Sequence, residues 1–302
     1  MPSYGETLAQ TPALLYGATF ALGLVVGSFL NVVILRLPRI MEHEWHEECA
    51  ELLAADGDDG PSQPRAAPGA DRSPPSLSHP GSSCPHCGHR IRVWENIPVL
   101  SFVLLRGRCS RCGQPISWRY PLVESATALL SLVVIWQLGP TAQGASALAL
   151  TWGLIALAVI DYDTQLLPDA ITLPLLWLGL VLSIPGVFVH STDAIVGAVA
   201  GYVGLWLMFH LFRLLTRKEG MGRGDFKLLA LFGAWLGWQS LPQILLLSTI
   251  PGALFGVALI ATGRGRRDTP IAFGPFLAAA GWVSLLWGDA IATTYLHWSG
   301  LG

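Results

Sequence analysis

Apolar stretches long enough to cross a bilayer recur along this chain from Pro12 to Trp298, and no other feature constrains its fold as strongly. About 20 consecutive apolar residues are needed to span the hydrocarbon core as a helix. Within lipid every backbone polar group must be satisfied internally, so helices are the expected elements. Segmentation gives eight spans, at 13–35, 121–138, 145–161, 170–188, 194–214, 226–240, 242–262 and 272–296. With a mean hydropathy of +0.51 and only 13% charged residues, a soluble domain of 302 residues is excluded. The expected class is an all-α polytopic membrane protein with a polar loop after its first helix.

Charge placement orients the helices. All 18 Lys and Arg fall in stretches that alternate spans place on one side, or at the adjoining span ends. These stretches are Arg36 to Arg119, the 162–169 loop, Arg213 to Lys227 and Arg264 to Arg267. The positive-inside rule makes that side cytoplasmic and puts both termini outside. The first span reads as a retained helix, not a cleaved leader, because no basic residue precedes it and Arg36 and Arg39 follow it.

The polar loop has three parts. Met41–Ala55 carries Glu42, Glu44, Glu47, Glu48 and Glu51 with no Lys or Arg, and reads as a short, solvated acidic helix. His43, His46 and Cys49 lie on it, but a metal site there is disfavoured. Residues 56–83 are rich in Gly, Pro and Ser and read as a flexible linker. Then come two knuckles, Cys84-Pro85-His86-Cys87-Gly88 and Cys109-Ser110-Arg111-Cys112-Gly113. Four thiolates in two Cys-x-x-Cys pairs suit tetrahedral zinc, and each following Gly permits a tight turn. The alternative is a pair of disulfides, which a cytoplasmic location disfavours. Four cysteines leave no open coordination position, so the metal is structural. The intervening Trp94 to Phe102 reads as a hydrophobic strip resting on the knuckles or on the membrane surface.

Two acidic residues stand at span borders, where charge is costly and usually functional. Asp161 closes the third span, and Asp225 follows Gly222-Arg223-Gly224 at the start of the sixth. The charge topology puts both at the inner face. Gly222 and Gly224 are expected to allow positive φ and close approach. Two close carboxylates cannot both ionise easily, so a pair shares a proton. One member then activates water while the other polarises a peptide carbonyl. Asp163 is a candidate for tuning that site, and Pro168-Asp169 for capping the fourth span. Taken alone, the aspartates fit a protease or a proton-coupled transporter equally well. A zinc-containing scaffold gains nothing from such acids.

The ordered motifs resemble the type IV prepilin peptidase family, membrane aspartyl proteases of the Gly-x-Gly-Asp class. They are Gly27-Ser28-Phe29-Leu30-Asn31 with Arg36-Leu37-Pro38, the knuckles enclosing Asn96-Ile97-Pro98, and Tyr120-Pro121-Leu122-Val123-Glu124. Asp161-Tyr162-Asp163, Leu167-Pro168-Asp169, Gly222 to Leu228 and Phe273-Gly274-Pro275 complete the series. The resemblance implies catalytic Asp161 and Asp225, with Asp163, Gly222, Gly224 and Lys227 in support. It implies removal of a basic leader, after a glycine, from type IV prepilins or type II secretion pseudopilins at a bacterial inner membrane. It also implies N-methylation of the new N-terminus from S-adenosylmethionine, tied to the zinc-loop region. No nucleic-acid partner is expected. The expected organisation is a first helix at 1–37, a loop region at 38–120 and a peptidase bundle at 121–302.

Overall fold

The computed structural model describes residues 12–55, 76–77, 81–217, 222–263 and 271–299. Among these there is no β-strand, and the eight expected segments each form a helix. In chain order the long helices are α1 (Pro12–Ala55), α3 (Arg119–Leu138), α4 (Ala142–Thr164), α5 (Asp169–Ser183), α6 (Ser191–Thr216), α7 (Arg223–Leu236), α8 (Leu241–Ala261) and α9 (Gly274–Ser299). A five-residue helix, α2 (Leu100–Leu104), lies in the polar loop. Among the described residues six helices are long and apolar enough to cross a membrane, which makes this a multi-pass membrane protein.

The two remaining helices fall short of a full span. α5 has 15 residues and α7 has 14, or roughly 21–23 Å at 1.5 Å per residue. α7 needs no greater length because it is the core of the bundle, with 10 of its residues buried. Backbone that is not helical is tolerated at membrane depth where protein, not lipid, surrounds it. Trp235 on α7 donates its indole N–H to the Leu175 carbonyl of α5 at 2.8 Å.

α1 differs from expectation in continuity. The first span and the acidic helix are one helix of 44 residues, with Pro38 inside it. Proline removes one intrahelical bond, but the Glu- and Ala-containing stretch beyond it favours helix strongly enough to continue. Most of the expected linker, 56–75 and 78–80, lies outside the described residues.

Two glycine pairs bring helix backbones into contact. A Cβ at Gly23 or Gly27 of α1 would fall 2.6 or 2.7 Å from the Cα of Ala128 or Glu124 on α3. On α6, a Cβ at Gly197 or Gly201 would meet the α7 backbone at 2.3 or 2.8 Å. Such small-residue seams let backbones touch and are the usual glue between helices in lipid. α4 packs on both α1 and α3, and also on α9, so it joins the N-terminal helices to the rest of the bundle.

Candidate active site

Alternation of the helices brings the start of α3, the end of α4 and the starts of α5, α7 and α9 to one end of the bundle. Side-chain contacts tie these ends together. Asp161 and Asp225 are both there, each only 5% exposed. They sit close enough for Asp225 to feel the charge of Asp161 directly.

Asp161 reaches its place because it lies on the buried stripe of α4 that also includes Leu154, Leu157 and Ile160. Its Oδ2 accepts the backbone N–H of Gly274, the first residue of α9, at 2.9 Å. A Cβ on Gly274 would fall 2.6 Å from that same oxygen. Only glycine lets the α9 terminus approach so closely. Asp225 is in the first turn of α7, where the exposed amides favour a carboxylate.

The supporting positions divide. Gly224 performs the expected close approach, since a Cβ there would lie 2.7 Å from the Leu167 side chain. The expected positive φ is not found. Gly222 is extended at φ −72°, and Gly224 lies within α7. The turn is made by entry into the helix, which requires no left-handed residue. Asp163 points away from the pair and forms an ion pair with Arg119 at the start of α3. Residues two apart on a helix are about 200° apart around its axis, so Asp161 and Asp163 cannot face the same neighbour. Pro168, not Asp169, occupies the N-cap of α5 and makes no side-chain cap. Asp169 instead accepts both its bonds from Lys227 at 2.7 Å, joining the starts of α5 and α7.

Sequence reasoning gave no role to Glu124. This carboxylate is buried on α3 and accepts the Val99 backbone N–H from the loop at 2.7 Å. Its position inside Tyr120-Pro121-Leu122-Val123-Glu124, an acid four residues into a spanning segment, was the available signal. Beside it, Asn31 of α1 donates to the Tyr120 carbonyl at 3.2 Å.

The four knuckle cysteines converge, with all Sγ atoms within 4.8 Å of one another. Cys84 Sγ and Cys112 Sγ are 3.8 Å apart. Tetrahedral zinc with Zn–S bonds of about 2.3 Å requires S···S separations of about 3.8 Å. Disulfides are absent, all four cysteines being free. Each knuckle is a small hairpin, closed by the Ser83–Arg90 and Arg108–Pro115 bridges. Gly88 and Gly113 provide the positive φ values, +67° and +69°, that turn each one. Backbone N–H groups of Cys87 and His86 hold the Cys84 thiol down at about 7, favouring the thiolate a metal needs. Among the described residues no other group of His, Cys, Asp or Glu converges in this way, and His43 instead faces Glu47 at 3.5 Å.

Glu95 stitches the two knuckles. It accepts from the Ser110 hydroxyl at 2.6 Å, the Arg92 amide at 2.9 Å and the His89 ring at 3.2 Å. These three donors, with Ser110 the strongest, hold its carboxyl down at about 2. They form one side of a cavity of about 400 Å³ that Arg111 also lines.

Two stretches of the chain match family models. Residues 148–257, which contain both aspartates, match the type IV leader peptidase family, and residues 21–138 match the Bacterial Peptidase A24 N-terminal domain. The chain belongs to the type IV leader peptidase family. A protein of Pseudomonas aeruginosa named prepilin leader peptidase/N-methyltransferase is 52% identical over 98% of both chains. A protein of the same name from Aeromonas hydrophila is 52% identical over 94% of this chain and 95% of its own. One from Legionella pneumophila is 44% identical over 95% and 96%. No solved structure matches. Nothing in these relatives favours the transporter reading.

Proposed function

We propose that the protein is a prepilin processing enzyme that removes a leader peptide with Asp161 and Asp225 and then methylates the new N-terminus. The proteolytic reading is supported by two buried carboxylates at one end of the bundle, both inside the family-matched segment. The Gly274 amide occupies Oδ2 of Asp161 and leaves Oδ1 for water or substrate. A pair that shares one proton supplies a base for the water and an acid for the peptide carbonyl. Asp163, Gly224 and Lys227 act through the scaffold, by holding helix ends in place, whereas Gly222 is the N-cap of α7 and has room for a side chain.

The substrate is an apolar helix with a basic leader, a type IV prepilin or a type II secretion pseudopilin. It lies against the spans with its scissile bond, after a glycine, at the level of the aspartates. The enzyme resides in a bacterial inner membrane with that side cytoplasmic and both termini outside, a reading supported by the basic residues at those helix ends. The four cysteines hold zinc as a structural ion, and the loop region from 38 to 120 is the part concerned with methylation. S-adenosylmethionine is the methyl donor, supported by the names of the relatives.

Asp161→Asn and Asp225→Asn each remove the shared proton while keeping size and membrane insertion. Incubation of the purified protein with a prepilin and S-adenosylmethionine, followed by mass spectrometry, reports cleavage, cut position and methylation together. Each variant is expected to lose leader removal by at least a thousandfold while still methylating a pre-cleaved substrate. Near-normal processing by either would overturn the assignment.

A further inference from the structure

The zinc unit carries an exposed apolar edge next to an almost uniformly basic surface. From Cys84 to Trp118 it holds Arg90, Arg92, Arg106, Arg108 and Arg111 against one acid, Glu95, which is already occupied by three donors. Helix α2 buries none of its residues. Val103 and Leu104 are 64% and 72% exposed, and Trp118 is 77% exposed. Large apolar side chains gathered in this way mark a surface that something covers.

The level of this edge is fixed by two contacts. Val99, which precedes α2, is held at φ +59°, an unusual value for a β-branched residue. Its amide is captured by Glu124 at 2.7 Å. Glu124 is five residues into the spanning helix α3, about 7.5 Å from its start, and its side chain leans back toward that start. Val99 is therefore drawn to the level of the first turns of α3. On the other side, Phe102 packs edge-on against Trp118 with ring centroids 4.8 Å apart. Trp118 directly precedes the first residue of α3, so it stands at the loop-side end of that spanning helix.

We infer that α2 and Trp118 form a bilayer anchor, which seats the zinc unit in the adjacent leaflet with its arginines among acidic lipid headgroups. Phe102 faces inward and joins the two halves of the anchor, while Val103 and Leu104 enter the acyl boundary. The depth this requires is that of an interfacial apolar face, about 5–10 Å into the boundary between headgroups and acyl chains. Arg106 and Arg108 follow α2 directly, so they reach the headgroup layer as the apolar residues reach the acyl chains. The charge favours an acidic surface, toward which each nearby Arg adds attraction that salt weakens. Anchoring places the loop within reach of a substrate N-terminus released at the membrane surface.

The test uses the full-length, zinc-loaded protein in nanodiscs of phosphatidylcholine and phosphatidylglycerol. A genetically encoded coumarin amino acid replaces Leu104 in one protein and Gln114, on the second knuckle, in another. Brominated phosphatidylcholine and aqueous iodide then compete as quenchers. Lipid bromine is expected to quench position 104 at least threefold more than iodide does, and iodide to dominate at position 114. Replacing phosphatidylglycerol by phosphatidylcholine, at a fixed share of brominated lipid, is expected to lower bromine quenching at 104 by about twofold. Equal iodide access at 104 and 114 in the acidic nanodiscs overturns the anchor. So does lipid contact or shielding at 104 that appears only after a prepilin is added, which makes this edge a substrate-binding face.

Discussion

Gly274→Ala offers a severe test of how Asp161 is held. The added Cβ would stand 2.6 Å from Oδ2 and 2.9 Å from Cγ of Asp161. Ordinary contact begins near 3.4 Å, so the carboxylate or the α9 terminus must move by about 0.8 Å, the difference between 3.4 and 2.6. The 2.9 Å bond from the Gly274 amide then lengthens beyond useful range. Losing a hydrogen bond to a charged group costs about 1.5–3 kcal/mol, and a displacement of about 1 Å at a reacting group costs on the order of a hundredfold in rate. Both estimates put the loss of leader cleavage at roughly tenfold to a hundredfold. Gly222→Ala is the matched control. Its Cβ would meet Asp225 Oδ2 at 3.5 Å, an ordinary contact, and its φ of −72° suits alanine. Cleavage there should stay within about threefold of wild type, since nothing has to move. The assay is single-turnover leader cleavage in detergent or nanodiscs, with methylation of a pre-cleaved substrate as the check on folding. Wild-type cleavage by Gly274→Ala would refute the claim that the α9 terminus positions Asp161. Equal losses in the two alanine variants would refute the glycine-contact reasoning.

Three further outcomes are expected. Cys84→Ser and Cys109→Ser should each release the metal, measured by inductively coupled plasma mass spectrometry, and should impair methylation more than cleavage. Zinc-free wild-type protein at full methylation activity would contradict this. Lys227→Met breaks a pair that is substantially exposed, so it should lower stability by no more than about 1 kcal/mol and cleavage by a few-fold. A complete loss of activity in a folded Lys227→Met protein would show that the lysine does more than join α5 to α7. The Glu95 carboxyl, held at about 2 against an ordinary 4.5, stabilises the folded form. That contribution is fully present above about pH 4.5 and fades as pH falls toward 2. Glu95→Gln should lower hydrogen-exchange protection across residues 84–113 at neutral pH, where the carboxylate accepts all three bonds, and unchanged protection would count against the stitch.

Much of the fold was legible because transfer into lipid is read almost residue by residue. Eight apolar segments became eight helices, including the short one after Gly222. Their lengths were less legible, since burial inside protein relaxes the demand for about 20 residues. α7 shows this most clearly: its surface is covered by α5, α6 and α9, so 14 residues suffice. The break expected between the first span and the acidic stretch was also not there, because one proline did not outweigh the helix-forming residues around it.

The sequence by itself determined the membrane class, the four-thiolate cluster and the common depth of Asp161 and Asp225. Each of these depends on composition or on spacing along the chain. The tertiary structure decided which way side chains face at that depth. It turned Asp163 onto Arg119, gave Asp169 to Lys227, set Gly274 against Asp161 and drew Val99 to Glu124. Those choices depend on how far each helix is rotated and how closely it approaches its neighbour. Glycine seams such as Gly23 and Gly27 against α3, or Gly197 and Gly201 against α7, fix both. Hydrophobicity says only that a segment is in the membrane, whereas backbone contact across a seam selects one rotation out of many.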